Sequence, residues 1–199
     1  MLDRDKYLSE QEARRLMEYS EAMSLRALER GTTFYVKAWA IIHTLLGTGT
    51  RASECRKIKI GDLHLGREPS IKVVGKGGKK RTVEISKDLK NHLKKYLKYK
   101  KMLNEGTEPD DYLFTNKLKR HWTLAGFQQL FKKMAKEAGL RSVYSIHSTR
   151  HCFGFMIYRK TKDIRLTQEL LGHSDLSSTM IYSHVDPEDK VKAVNNLWE

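Results

Sequence analysis

At 199 residues the chain is long enough for one large domain or two small ones, and for a sizeable buried core. Its 38 Lys and Arg against 24 Asp and Glu leave a net charge of +14 and a sequence pI near 9.7, which point to a polyanionic partner such as nucleic acid and say nothing about catalysis. No apolar run reaches the roughly 18 residues of a membrane span, the charged start MLDRDKYLSEQE lacks the apolar region of a signal peptide, and Cys55 and Cys152 are far apart and in no CxxC. The expectation is a cytoplasmic protein with free thiols, without a membrane segment, a disulfide framework or a zinc site.

Ser9-Glu10-Gln11-Glu12 has the form of a capping box and predicts a helix to about Glu29, ended by Gly31. Phe34, Val36, Ala38, Trp39, Ile41, Ile42, Leu45 and Leu46 predict a second, mostly buried helix that stops at the loop signal Gly47-Thr48-Gly49. A short helix is expected from near Arg51 to before Gly61. Ile71 and Val73 alternate before Gly75-Lys76-Gly77-Gly78, and Val83 and Ile85 after it, which is the pattern of a β-hairpin around a glycine-rich turn. Ser86 caps a lysine-rich helix to about Leu103. Residues 106–111 form a loop and Tyr112-Leu113-Phe114 a short buried segment. Thr123 to Ala138 reads as an amphipathic helix closed by Gly139. Helices are further expected after residue 147 and at 163–171, 177–184 and 187–198. No repeat, low-complexity segment or internal linker interrupts the chain. One mainly α domain over residues 1–199, with a small antiparallel hairpin or sheet, is the economical reading.

The stretch HSTRHCFGFMIYRK, residues 147–160, sets His147, Arg150 and His151 at the head of an apolar helix whose Phe153, Phe155, Met156, Ile157 and Tyr158 read as core. Such polar groups are costly to bury unless paired, so the head is either a satisfied structural cluster or an anion site. Four further stretches stand beside it: Thr48-Gly49-Thr50-Arg51-Ala52-Ser53-Glu54, Gly75-Lys76-Gly77-Gly78-Lys79-Lys80-Arg81, Leu171-Gly172-His173, and Tyr182 within Met180-Ile181-Tyr182-Ser183-His184. Each also has an ordinary reading. Arg51 can be a surface arginine, although a cation at a helix start opposes the helix dipole and suits a bound anion. The glycine-rich turn lacks the order GxxxxGK[ST] and opens no helix, so nucleotide binding is rejected. It can be a solvated tip, or a flexible lysine tip that reaches a DNA backbone through Lys79, Lys80 and Arg81. The same two readings apply to the lysine-rich helix. His147 and His151 have the i, i+4 spacing of a zinc pair, but Ser148 stands where HExxH has Glu and no third ligand is evident. His173 alone fits a helix end, and Tyr182 is one of nine tyrosines.

Taken in order, Arg51, Lys76, His147-x-x-Arg150, His173 and Tyr182 resemble the active site of the tyrosine recombinases, or phage-type integrases. That family's pattern is TG-x-R-x-SE, a lysine on a β-hairpin, H-x-L-R-H, LGH, and a tyrosine nine residues after that last histidine, which here is Tyr182. The likeness spans residues 48–185 and implies the fold of the family's catalytic domain. It departs at Thr50 and Thr149, where the pattern is apolar, which bears on local packing rather than on chemistry. The N-terminal helical domain that completes a DNA clamp in the family is not expected here. The chain reads as an excised catalytic domain or a naturally short protein.

The resemblance implies DNA strand cleavage by transesterification. Arg51, Arg150 and His173 would hold the non-bridging phosphate oxygens, Tyr182 would attack phosphorus and form a 3′-phosphotyrosine, and Lys76 would protonate the leaving 5′-oxygen. His147 would assist deprotonation of Tyr182, with Glu54 and His151 orienting these groups. Neither metal nor cofactor nor ATP is expected. The implied partners are double-stranded DNA and other copies of the chain, through the segment 187–198. Two alternatives share parts of the pattern: a type IB topoisomerase-like enzyme that nicks, swivels and reseals, and a basic protein that occupies recombination sites without cutting.

Overall fold

The computed structural model describes residues 7–116 and 118–172, and at Lys76 the backbone alone. The helices expected at 177–184 and 187–198, together with His173 and Tyr182, lie outside the described residues. Within them the fold is mainly α with one small antiparallel sheet, as expected. No described helix is long and apolar enough to cross a membrane.

Helix α1, Glu10–Glu29, starts at the expected capping box. The Ser9 N–H donates to Glu12 Oε2 at 2.8 Å and the Glu12 N–H to Ser9 Oγ at 3.2 Å. It buries one stripe, Leu16, Ser20, Ser24 and Ala27, on α2, Phe34–Thr48. Helix α2 is the centre of the molecule: Ala38, Ala40, Ile41, Ile42 and Leu45 have no exposed surface, and it touches α1, α4, α5 and α6. It ends where Gly49 takes a left-handed φ of 60°. A Cβ at Gly49 would lie 2.4 Å from the Phe153 ring, so glycine is required there twice over.

Helix α3 is only Ala52–Cys55, shorter than expected. The alternating Ile58 and Ile60 that follow pair instead with residues 111–113: Leu113 N–H donates to Ile58 O at 2.8 Å and Ile60 N–H to Asp111 O at 2.9 Å. β-Branched residues at every second position suit an extended segment better than a helix. Strands β1, Leu63–His64, β2, Ser70–Val74, and β3, Lys80–Glu84, form an antiparallel sheet in that order. Strand β1 was not expected. The register pairs Ile71 with Val83 and Val73 with Arg81, so these four share the inner face. The turn from β2 to β3 is a 3₁₀ turn over Lys76–Gly78.

Helix α4, Lys87–Met102, is capped by Ser86 and buries Leu89, Leu93 and Tyr96. Helix α5, Leu124–Glu137, is capped by Thr123 and buries Phe127, Leu130, Phe131 and Met134. Helices α6, His147–Thr161, and α7, Ile164–Leu171, close the described fold. Phe153, Phe155, Met156, Ile157 and Tyr158 of α6, expected in the core, are only half-buried, and the buried positions of that helix are Ser148, Thr149, Arg150, Cys152 and Gly154. Phe153, Met156 and Ile157 line an apolar groove of about 450 Å³ with residues of α1 and α2. Both cysteines are free and buried, and burial pushes the Cys55 thiol up.

Candidate active site

The sequence after α2 explains why Arg51 stands where it does. Gly49 turns the chain out of α2, and Arg51 becomes the extended residue that opens α3, with φ −67° and ψ 148°. Its N–H donates to Glu54 Oε2 at 2.9 Å and its Nη1 to Glu54 Oε1 at 3.0 Å. The Arg51 side chain keeps 39% of its surface exposed, whereas Glu54 keeps 3%. The two threonines here are satisfied: Thr48 and Thr50 share a hydroxyl hydrogen bond of 2.9 Å, and both are buried. Thr50, one of the two departures from the apolar pattern, therefore packs without an orphaned polar group. Thr149 does likewise, with Oγ1 donating to Ile146 O at 2.7 Å.

Arg150 is treated differently. It is 6% exposed, and its guanidinium fork joins two loops. Nη1 donates to Gly49 O at 2.7 Å and Nη2 to Leu171 O at 2.8 Å. One planar side chain thus fastens the loop that carries Arg51 to the end of α7, immediately before Gly172 and His173. The polar head of the stretch 147–160 is divided: His147 is exposed at the first residue of α6, Arg150 is buried, and His151 is half-buried.

The hairpin completes the surroundings. Its turn and α3 enclose a cleft of about 570 Å³ lined by Arg51, Ser53, Glu54, Lys57 and the glycines of the turn. Lys76 opens that turn. Lys79 and Lys80 are exposed, but Arg81 faces inward, 20% exposed, and forks onto Glu54: Nη1 to Oε1 and Nη2 to Oε2, both at 3.1 Å. Arg81, expected with its neighbours on a DNA backbone, is committed to a buried carboxylate. The alternation of β3 carries the signal, because Arg81 lies two residues before buried Val83. Burial alone would raise the Glu54 carboxyl, but hydrogen bonds from Arg81 first, and then from Arg51, hold it below its ordinary value. Ser53 and Lys57 line the cleft and were not singled out by the sequence. Ser53 lies within α3 and Lys57 just beyond it, four residues on, on the stretch that leaves Arg51.

The lysine-rich helix is also mixed. Lys94, Lys95, Lys98 and Lys101 are exposed, while Lys100 has no exposed surface and pairs with Glu105 at 3.2 Å. Among the described residues, no three His, Cys, Asp or Glu side chains converge as metal ligands would.

In chemical terms, a half-exposed guanidinium at a glycine-lined cleft, backed by a buried one that ties the adjoining loops, is an arrangement for holding a tetrahedral oxyanion. The chain as a whole is similar to known proteins. The XerD tyrosine recombinase of Oceanobacillus iheyensis is 34% identical over 171 residues, 85% of this chain and 57% of the relative. The XerC tyrosine recombinase of Caldanaerobacter subterraneus subsp. tengcongensis is 37% identical over 164 residues, 81% of this chain and 45% of the relative. The chain therefore spans about half the length of these relatives. Among solved structures, the XerH site-specific recombinase in a pre-cleavage complex with its difH substrate superimposes with a TM-score of 0.78 at 27% identity, covering 97% of this chain and 54% of that one. The phage integrase family profile matches residues 6–189, and the chain belongs to that family.

Proposed function

We propose that the chain is the catalytic domain of a site-specific DNA recombinase that breaks and rejoins strands through a covalent 3′-phosphotyrosine at Tyr182. The observation that carries this reading is the Arg150 fork, which holds the Arg51 loop and the end of α7 together at 2.7 and 2.8 Å. That tie draws three separate stretches of the family pattern around one place. The relatives named above, one of them solved on its DNA substrate, support DNA as the partner. The net charge of +14 supports it independently.

The chemistry follows from the groups. A phosphodiester repels a nucleophile until its charge is neutralised. Arg51 brings permanent charge and fork geometry to the non-bridging oxygens and Arg150 adds its permanent charge while its fork holds the loops in place, and preorganised donors act most strongly on the charge that develops in the pentavalent state. His173 is the third donor. The Tyr182 oxygen attacks phosphorus, and its proton passes toward His147 as the phosphorus–5′-oxygen bond breaks. Lys76 delivers a proton to that departing 5′-oxygen. The new phosphotyrosyl bond keeps the energy of the old one, so a 5′-hydroxyl from another strand restores the backbone without ATP. Glu54 and His151 position these groups, exposed Lys79 and Lys80 meet the DNA backbone, and no metal is required. Residues 1–199 act as one catalytic domain in the cytoplasm, and the segment 187–198 joins copies of the chain on DNA.

The test is incubation with negatively supercoiled plasmid in EDTA without ATP, beside Tyr182→Phe. Relaxation and an SDS-resistant protein–DNA adduct, both absent from the variant, are the expected result. Binding without adduct from the unaltered chain would contradict the reading.

A further inference from the structure

Glu54 carries one negative charge and is approached by two arginines. Oε1 accepts from Arg51 Nη1 at 3.0 Å and from Arg81 Nη1 at 3.1 Å, and Oε2 accepts from the Arg51 backbone N–H at 2.9 Å and from Arg81 Nη2 at 3.1 Å. The contest is unequal. Arg81 uses both ends of its fork, whereas the Arg51 side chain uses one nitrogen. The Nε and Nη2 groups of Arg51 have no partner among the described residues, and Arg51 lines the cleft. A carboxylate 3% exposed must be matched by a cation, and a bidentate fork is the strongest match available. With Arg81 gone, the fork nearest to Glu54 would be that of Arg51.

Arg81 also lies beneath the turn that leads to His173. A Cβ on Gly172 would stand 2.5 Å from Arg81 Nε and 2.6 Å from its Cδ, so only glycine lets the turn rest there. The same side chain stands opposite Val73 on the hairpin whose turn holds Lys76. One residue therefore touches Glu54, the hairpin and the Gly172 turn.

We propose that Arg81 is a positioning residue that occupies Glu54 so that the guanidinium of Arg51 stays available to an oxyanion in the cleft. The proposal rests on the reading above that Arg51 binds phosphate. It makes Glu54 a carboxylate that is useful only while it is matched elsewhere. Conversion of Arg81 to alanine turns Glu54 from a support of Arg51 into its competitor.

The experiment is a titration with inorganic phosphate, followed by the ¹⁵N shift of the Arg51 side-chain N–H, on the unaltered chain, Arg81→Ala, Arg81→Lys and Arg81→Ala/Glu54→Gln. Loss of one charge-assisted match implies about tenfold weaker phosphate binding in Arg81→Ala. Arg81→Lys, a point donor without a fork, falls between. The double variant regains most of the affinity, because a neutral amide does not draw Arg51 away. A purely structural role would leave the double variant as weak as Arg81→Ala, and that result overturns the proposal, as does equal affinity across the set. Should Arg81→Ala not fold, Arg81→Lys with and without Glu54→Gln gives the same comparison. Adduct formation on plasmid, measured in parallel, separates the two ideas. An unaltered chain that binds phosphate yet forms no adduct defeats the recombinase reading and leaves the Arg81 order of affinities to be read.

Discussion

Two clusters in this molecule have the same charges and opposite designs. Lys37, Glu105 and Lys100 set two cations about one carboxylate, and so do Arg51, Glu54 and Arg81. In the first, all three side chains are at most 6% exposed. Lys37 pairs with Glu105 Oε1, Lys100 reaches Oε2 at 3.2 Å, and Thr115 Oγ1 donates to Oε2 at 2.7 Å. This cluster ties α2 to the end of α4 and the segment after it, and it is closed. In the second, Arg51 is 39% exposed at a cleft. The difference lies in the donors. An ammonium is a point charge that one carboxylate oxygen occupies, whereas a guanidinium has several N–H groups in a plane and can serve a second anion while holding the first. Lysines suit a sealed tie, and arginines a site.

The largest effect expected from breaking this contrast is at Glu105. Glu105→Ala leaves two buried ammonium groups facing each other, and the cost is about 3–5 kcal/mol of stability, read by urea unfolding. Next is Arg51→Ala, which loses a donor to the developing charge. Adduct formation falls about 10²–10³-fold, while stability changes by about 1 kcal/mol or less, since Arg51 is partly in water. The two variants separate the clusters: one loses the fold, the other the chemistry.

A third polar group, a pair of histidines, sharpens the contrast by having no charge to close. The rings of His43 on α2 and His92 on α4 meet Nδ1 to Nδ1 at 2.8 Å, with Trp39 stacked on His92. One proton fits between these nitrogens and two do not. Burial foremost, then the neighbouring His43 and Lys95, pushes the His92 imidazole down to about 3. The unfolded chain takes up that proton near the ordinary histidine value of about 6.5. The stabilisation is therefore complete above about pH 6.5 and is lost as pH falls toward 3, at no more than about 1.4 kcal/mol per pH unit. Urea midpoints measured across this range follow that slope, and His92→Phe flattens it. The two carboxylates act in a lower window. Both are held below their ordinary values, so their contribution stands above the unfolded carboxylate value of about 4.3 and fades as pH falls through the folded one.

The smallest effect on adduct formation belongs to replacing the sealed cluster as a whole. Lys37→Met/Glu105→Leu/Lys100→Met removes all three charges together and shifts stability by about 1 kcal/mol in either direction, with adduct formation unchanged. The same treatment of Arg51, Glu54 and Arg81 abolishes adduct formation. The two outcomes would show that equal charges do unequal work.

The sequence disclosed what depends on neighbours along the chain. The capping box at Ser9, the stops at Gly49 and Gly139, and the hairpin around residues 75–78 are local signals, and each stands in the structure. The inward turn of Arg81 was also legible, through its alternation with Val83, but its run with Lys79 and Lys80 reads first as a charged tip. Other features have no local signal. Arg150 is satisfied by carbonyls 101 and 21 residues away, and a backbone acceptor leaves no trace in residue type. Lys100 looks like the other lysines of α4 until Glu105 and Thr115 fold against it. The helix expected to run toward Gly61 stops at Cys55 because Ile58 and Ile60 find partners some fifty residues on.

The most direct test of the account is to identify the bond it requires. The plasmid adduct is digested with trypsin and nuclease, and the peptide of residues 166–190, which contains Tyr182, is sequenced by mass spectrometry. The account predicts a nucleotide attached to Tyr182 through a 3′-phosphate, with the broken strand bearing a 5′-hydroxyl that polynucleotide kinase labels without prior phosphatase. A nucleotide on any other residue, or a strand end bearing a 5′-phosphate, would contradict it.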